Sequence, residues 1–378
     1  MRPFKLISLS LSLTVIFFCC KKGPEEEYPV VTEIIEDVKV VTNPDYPRDG
    51  KIRYSMEEDL SIGVAEGDEG YMLNQPFDVN VAEDGTIYIL DWGDVCIKVY
   101  GKDGKHLRTV GRKGQGPGEF EFLIYMALAS DGRIFIMDPV NGRVSVLDIY
   151  GKYLGGFRVE GQFREMKTDG KNRLYYSKRI SQKTVEELPV TKDFQEIDTV
   201  VQIFRSEADG KDLLNFGDFK GEKYRVRRMD TGGAMSTGSQ YNIVWEVSRE
   251  GMLYEGLNQE YKINVFDQDG KKILTFGREY EPVMIERRMG ELVRKSLMPA
   301  FDHRRAWEFD DDGNLWVSIY SENEEEVVYD VFSPQGIYLK QVVVPHMIRD
   351  IKKGKVYSIL TTEEGFMAVK RSILKEIE

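Results

Sequence analysis

Past about residue 60 the chain breaks into short apolar–polar alternations of period two, set apart by Asp-Gly and similar pairs, the pattern of strands joined by tight turns. The clearest unit runs from Pro76 to Gly111, PFDVNVAEDGTIYILDWGDVCIKVYGKDGKHLRTVG. It predicts four strands: Phe77 to Ala82, Thr86 to Leu90, Cys96 to Tyr100 and His106 to Val110. Asp84-Gly85 and Asp103-Gly104 supply the turns, because glycine accepts the positive φ a hairpin demands.

The unit then repeats. Asp131-Gly132 and Tyr150-Gly151 mark the second, with the same turn-to-turn spacing; Asp169-Gly170 and Asp209-Gly210 mark the third, around an insertion. Gly251 and Gly270 mark the fourth, Asp312-Gly313 and Gln335-Gly336 the fifth, Lys353-Gly354 the sixth. The sixth runs out one strand short. Leu60-Ser61-Ile62-Gly63 resembles the fourth strands LRTVG (Leu107 to Gly111) and LTFG (Leu274 to Gly277), and supplies the missing one. Four-stranded repeats of about 40 residues indicate a propeller. Pairing the first strand with the last leaves no open sheet edge. The expected fold is an all-β, six-bladed β-propeller over residues 51–378, closed by N-terminal and C-terminal strands, with one short helical insertion. Seven blades is the alternative, if residues 218–240 hold a further strand pair.

Asp138-Pro139-Val140-Asn141-Gly142-Arg143-Val144 resembles the D-x-x-N-x-R-[IV] turn of NHL repeats; in the first unit Asp91 to Ile97 keeps only the Asp and the Ile. Gly111 to Phe120, GRKGQGPGEF, is similar to a signature of bacterial six-bladed propeller lipoproteins. The resemblance implies the fold. It leaves function open, since propellers serve as enzymes, binders and scaffolds.

The N-terminus reads as an address. Arg2 and Lys5 precede an apolar run, Leu6 to Phe18, too short to span a bilayer comfortably. It closes on Cys19 and Cys20, which resembles a lipoprotein lipobox. Residues 1–19 are then a signal peptide, and Cys20 (alternatively Cys19) carries a diacylglycerol anchor. Residues 20–50, with Pro24, Pro29, Pro44, Pro47 and Glu25-Glu26-Glu27, read as a flexible tether. The implied location is the bacterial cell envelope, lipid-anchored, periplasmic or surface-exposed.

Charge removes one class of partner. Lys+Arg number 52 and Asp+Glu 64, a net charge of −12, which argues against nucleic acid. Of 3 Cys, two belong to the address. Cys96 is left without an intrachain partner and reads as a small apolar strand residue. A monomer is expected.

The candidate chemistry lies in the first strands. Five residues before the first-turn glycine of the first five units stand Asn80, Ala127, Glu165, Glu246 and Glu308; in the sixth, allowing one residue for a shorter turn, stands Asp350. Innermost strands ring the axis, so these side chains are expected around a central tunnel, where like charges raise pKa values or recruit a divalent cation. The plain alternative is solvated carboxylates, or partners of Arg164, Arg305 and Arg349. His303 and His346 are weak metal candidates. Two histidines do not make a zinc site.

Other motifs read plainly. The Gly-rich run is a blade crossover, Asp310 to Asn314 a turn, and Thr231 to Ser239 a small-residue loop. Residues 220–229 form a local basic patch. Residues 282–298 carry an apolar stripe at helical spacing between Pro282 and Pro299, which predicts a short amphipathic helix. No catalytic residue is identified. The leading function is a non-enzymatic binding or scaffold lipoprotein, taking a protein or small-molecule ligand at a propeller face. The alternatives are a metal-dependent hydrolase or lyase using the acidic tunnel, and a sensor or partner subunit docked through residues 282–298. A tunnel plugged by Trp245 and Trp307 would favour the scaffold.

Overall fold

Six four-stranded antiparallel blades follow one another round a ring. The computed structural model describes residues 28–377, apart from 182, 184–186, 192, 231–233, 238–242, 259, 282–283, 290–291, 298–306, 322 and 324. The proposed signal peptide, Cys19, Cys20, His303 and Arg305 lie outside the described residues. Blade 1 comprises Pro76–Val81, Ile87–Asp91, Cys96–Tyr100 and His106–Val110. Blade 2 runs from Tyr125–Leu128 to Tyr153–Arg158, and blade 3 begins with Gln162–Thr168 and Leu174–Ser181. Blade 4 spans Ile243–Val247 to Lys272–Arg278, and blade 5 spans Glu308–Phe309 to Tyr338–Val344. Blade 6 takes Asp350–Lys352, Lys355–Thr361 and Met367–Ile377 from the C-terminus and Lys51–Ile62 from the N-terminus.

That last pairing closes the ring as expected. Arg53 to Ile62 run antiparallel to Val369 to Ile377. The start of the same strand, Lys51 to Arg53, also pairs in parallel with Gln341 to Val343 of blade 5. Residues 218–240 make no seventh blade. Blade 3 instead has long outer strands, Gln195–Ser206 and Asp212–Arg228, with Ala234–Thr237 added at its edge. The basic patch lies on this extension, with Arg225 opposite Glu196 in the register.

The blades stack face to face, so middle strands are covered on both sides. Ile87–Asp91 and Ile134–Asp138 are buried at every position, whereas the outer strand Tyr153–Arg158 alternates with exposed residues. An apolar core fills each joint. Tyr88, Leu90 and Ile97 of blade 1 meet Met126, Ile134 and Ile136 of blade 2. Ile62, Tyr357 and Val369 of blade 6 meet Val79, Ile87 and Ile89 of blade 1 across the closure. The first turns use the expected chemistry, with Gly85 at φ +90°. In blade 3 the positive φ falls on Asn172 (63°) rather than Gly170.

Two expectations are corrected. Residues 28–50 are not a free tether. Val31–Ile35 and Val38–Asn43 form a hairpin whose second strand pairs in parallel with Lys272–Arg278 of blade 4. The β-branched run VVTEII and VKVVT outweighs the prolines. Val41 enters the blade 4–blade 5 core. Buried Asn43 donates through Nδ2 to the carbonyls of Gly277 and Gly336, both at 2.8 Å, and accepts from Tyr338 N at 2.9 Å.

Nor are the described residues of the insertion, 284–289 and 292–297, a helix. Met284–Met289 pairs antiparallel with Leu292–Leu297. The helical reading had to carry Gly290 mid-helix, at a cost of about 1 kcal/mol. The described residues contain no α-helix.

The blade 4–blade 5 joint also holds a fully buried carboxylate, Asp330. Arg278 Nε lies 2.8 Å from its Oδ2; Tyr338 OH donates to Oδ1 at 2.6 Å, Gln341 Nε2 to Oδ1 at 3.0 Å, and Tyr261 OH to Oδ2. The Arg278 guanidinium stacks 4.4 Å from the Tyr261 ring centroid. Burial, then the Asp330 charge, pushes both tyrosine hydroxyls far above their usual range.

Candidate functional site

The first strand of each blade is an edge strand facing the axis, so its inner N–H and C=O groups have no ladder partner. Together these strands enclose a cavity of about 750 Å³. All six recurring positions line it: Asn80, Ala127, Glu165, Glu246, Glu308 and Asp350.

Part of the acids' work is structural. Asp350 Oδ2 accepts the backbone N–H of Val81, on neighbouring blade 1, at 2.7 Å. Glu246 Oε1 accepts from Val247 N at 3.0 Å, and Asp78 Oδ1 from Val79 N at 2.9 Å. These carboxylates serve as acceptors for inner-edge amides.

The remaining charge is strained. Burial pushes the Asp350 carboxyl up to about 7, against the Val81 amide that would lower it. Burial also raises Asp78, Glu165 and Glu308, and Glu246 adds repulsion to the last two. In the middle lies Lys167 of blade 3, its Nζ 2.6 Å from Glu246 Oε2 of blade 4. Burial opposes the Lys167 charge, but Glu246, Glu308 and Glu165 outweigh it and hold the ammonium above its usual range.

Sequence reasoning missed Asp78 and Lys167. Both were within reach, because residues two apart on a strand share a side, and they lie two positions from Asn80 and Glu165. The expected arginine partners are not the main ones. Arg164 donates to Tyr224 OH at 3.3 Å, and Arg349 acts on Asp78 only through its charge, its Nε buried without a hydrogen-bond partner.

Of the metal candidates, His346 is exposed and lies outside the cavity lining. Among the described residues no three His, Cys, Asp or Glu side chains stand close enough to hold a metal ion. No tryptophan plug is present either. Trp245 is packed in the wall within the blade 3–blade 4 core, and Trp307 is buried in the blade 4–blade 5 core.

At the first-turn end the mouth is crossed by charge. Glu83 of blade 1 meets Lys352 of blade 6 at 2.7 Å and Arg249 of blade 4, on the far side of the ring, at 3.6 Å. Over the whole lining, carboxylates are more than twice as numerous as cationic side chains.

The other sequence motifs have structural roles. Asp138 accepts from the backbone N–H groups of Glu121, Val140 and Asn141, and Arg143 donates to the carbonyls of Gln115, Gly116 and Glu119. The NHL-like turn thus clamps the Gly-rich crossover between blades 1 and 2. Gly114 sits at φ +155°, a backbone conformation that side-chain-bearing residues rarely adopt. Asp310 caps its own turn, accepting from Asp312 N and Asn314 N. Cys96 is buried, its thiol pushed up to about 12 by that burial, and is chemically quiet.

A family model described as 6-bladed beta-propeller (DUF5128) matches residues 66–215. No curated protein matches the chain. Among solved structures it is similar to a protein of Bacteroides fragilis NCTC 9343 thought to be exported, at 11% identity over 86% of this chain and 99% of that one, TM-score 0.48. It is similar also to a member of the DUF4221 family from Bacteroides vulgatus ATCC 8482, at 9% identity over 86% and 99%, TM-score 0.47. A third is the virginiamycin B lyase of Staphylococcus aureus, at 10% identity over 83% and 98%, TM-score 0.42. Nothing about this chain's ligand follows from these likenesses. The chain is a six-bladed β-propeller, similar through blades 1 and 2 and into blade 3 to the family so described.

Proposed function

We propose that the protein is a lipid-anchored binding propeller of the bacterial cell envelope, whose ligand is a cation held in the central cavity. The observation that carries the reading is the convergence of carboxylates from five blades (Asp78, Glu165, Glu246, Glu308 and Asp350) on one cavity of about 750 Å³. That volume suits a small molecule. Clustered carboxyls with raised pKa values are what folding alone would avoid, and they mark candidate sites. An organic cation fits better than a metal ion, because the described donors lack a set of three for a metal. The metal-dependent hydrolase or lyase alternative meets the same obstacle. The envelope address rests on the charged start, the apolar run and the Cys19-Cys20 pair.

The test is thermal shift of the detergent-solubilised full chain against calcium, manganese, spermidine and sulfate, each at millimolar concentration. Spermidine is expected to raise Tm and sulfate to leave it unchanged. A metal response without a polyamine response would restore the metal reading, and silence to every cation would sink both. For the anchor, Cys20→Ala is expected to move the protein from the membrane to the soluble fraction. If only Cys19→Ala does so, the anchor is Cys19.

A further inference from the structure

Most of the cavity's charge belongs to the wall, but one group reaches into it. Lys167 leaves the first strand of blade 3 and places its ammonium on a carboxylate of blade 4. The Glu246 side chain is only 9% exposed, while that of Lys167 is 26% exposed. The carboxylate is thus fixed in the wall, and the lysine remains reachable from the cavity. The fixed partner is anchored further by the Val247 amide at its other oxygen. The Lys167 ammonium sits on a flexible four-carbon stem, so it can leave if another cation takes its place on Glu246. Glu308 of blade 5 and Glu165 of blade 3 add attraction to whatever cation sits there.

We propose that Lys167 is a tethered occupant of an alkylammonium seat, and that a ligand bearing a primary ammonium takes the seat on Glu246 by displacing it. The inference rests on reading the cavity as the binding site, and it specifies the ligand's recognised group and the residue that competes with it. The wild-type chain carries its own low-affinity plug. The ligand must outcompete a neighbour held at high local concentration, so bare ammonium compounds bind the wild type weakly. A ligand with further contacts to the wall displaces the lysine.

The experiment uses the full chain carrying Lys167→Met, titrated with ethylammonium, tetramethylammonium or sodium chloride at equal ionic strength. The variant leaves Glu246 buried without its partner and melts below the wild type. Ethylammonium is expected to return about half or more of the lost Tm in the millimolar range. Tetramethylammonium has no N–H to donate and is expected to fail, as is sodium. The wild type is expected to need about tenfold more ethylammonium for the same shift. If Lys167→Met does not fold alone, its refolding yield with and without ethylammonium is the readout, and a yield that ignores the amine overturns the proposal. So does an equal response of variant and wild type, or a Lys167→Met/Glu246→Gln double variant that responds as strongly. Rescue of Lys167→Met in a wild type indifferent to spermidine would uphold the seat while removing the support for the proposed function.

Discussion

Two groups of enclosed carboxylates differ in how they are satisfied. Asp330, in the joint between blades 4 and 5, meets an arginine, two tyrosine hydroxyls and a glutamine amide. Both oxygens have donors, and Arg278 supplies the opposite charge. The cavity acids line one cavity, with edge amides, the Lys167 ion pair and the more distant charges of Arg349 and Lys352 to steady them. The first arrangement closes on itself and has nothing left to offer a ligand. The second gathers carboxyls whose ionisation burial and mutual repulsion disfavour. The two groups therefore differ in how fully the chain's own partners satisfy them.

Breaking the first group has the largest expected effect. Asp330→Ala leaves the Arg278 guanidinium buried without a counter-charge and is expected to cost about 3–5 kcal/mol in urea unfolding. A loss under about 1 kcal/mol would mean that Arg278 reaches water and the joint is looser than described.

The second group responds with the opposite sign. The Asp350 carboxyl is raised from 3.8 to about 7 in the folded chain. Below the unfolded value both states are protonated and no penalty exists. As pH rises through the folded value the penalty becomes complete, so stability falls between about pH 4 and pH 7. Asp350→Asn keeps an acceptor for Val81 N–H and removes the charge. It is expected to be more stable than the wild type by about 2 kcal/mol at pH 8 and no more stable at pH 3.5. A pH-independent difference would refute the assignment.

The smallest effect is at the mouth. The Arg249 side chain is 73% exposed. Arg249→Ala is expected to change stability by under about 0.5 kcal/mol, and that little should vanish in high salt. If it instead costs more than Asp350→Asn gains, the salt bridge is part of the frame and not a feature of the entrance.

The architecture was legible because each blade repeats the same local chemistry. Alternation, paired turns and an incomplete last unit are enough to predict six blades and the strand that closes them. The recurring inner-strand positions follow the same repeat: five residues back from the turn glycine, four in blade 6, lies a residue of the cavity lining. What escaped was non-repeating. Lys167 has a basic counterpart only in Lys352 of blade 6, so the repeat barely announces it. The hairpin at residues 31–43 hid behind prolines and glutamates, and its β-branched runs were the overlooked signal. At 284–297 apolar spacing fitted a helix as well as a strand, and Gly290 was the deciding residue.

The closing strand has a consequence for how the molecule forms. Lys51–Ile62 is the first blade strand to emerge in synthesis, and its antiparallel partner is the last; Ser55 donates to the Lys375 carbonyl across 320 residues of sequence. No blade can be completed at the ring's seam until the whole chain exists. Folding must therefore wait on one contact of very high contact order, and unfolding begins most readily where that contact is lost. Unlike an open solenoid, which can fray repeat by repeat from its ends, this ring has both ends in one sheet. Proteolysis at the seam should convert a slow, cooperative opening into a sequential unravelling from blade 6.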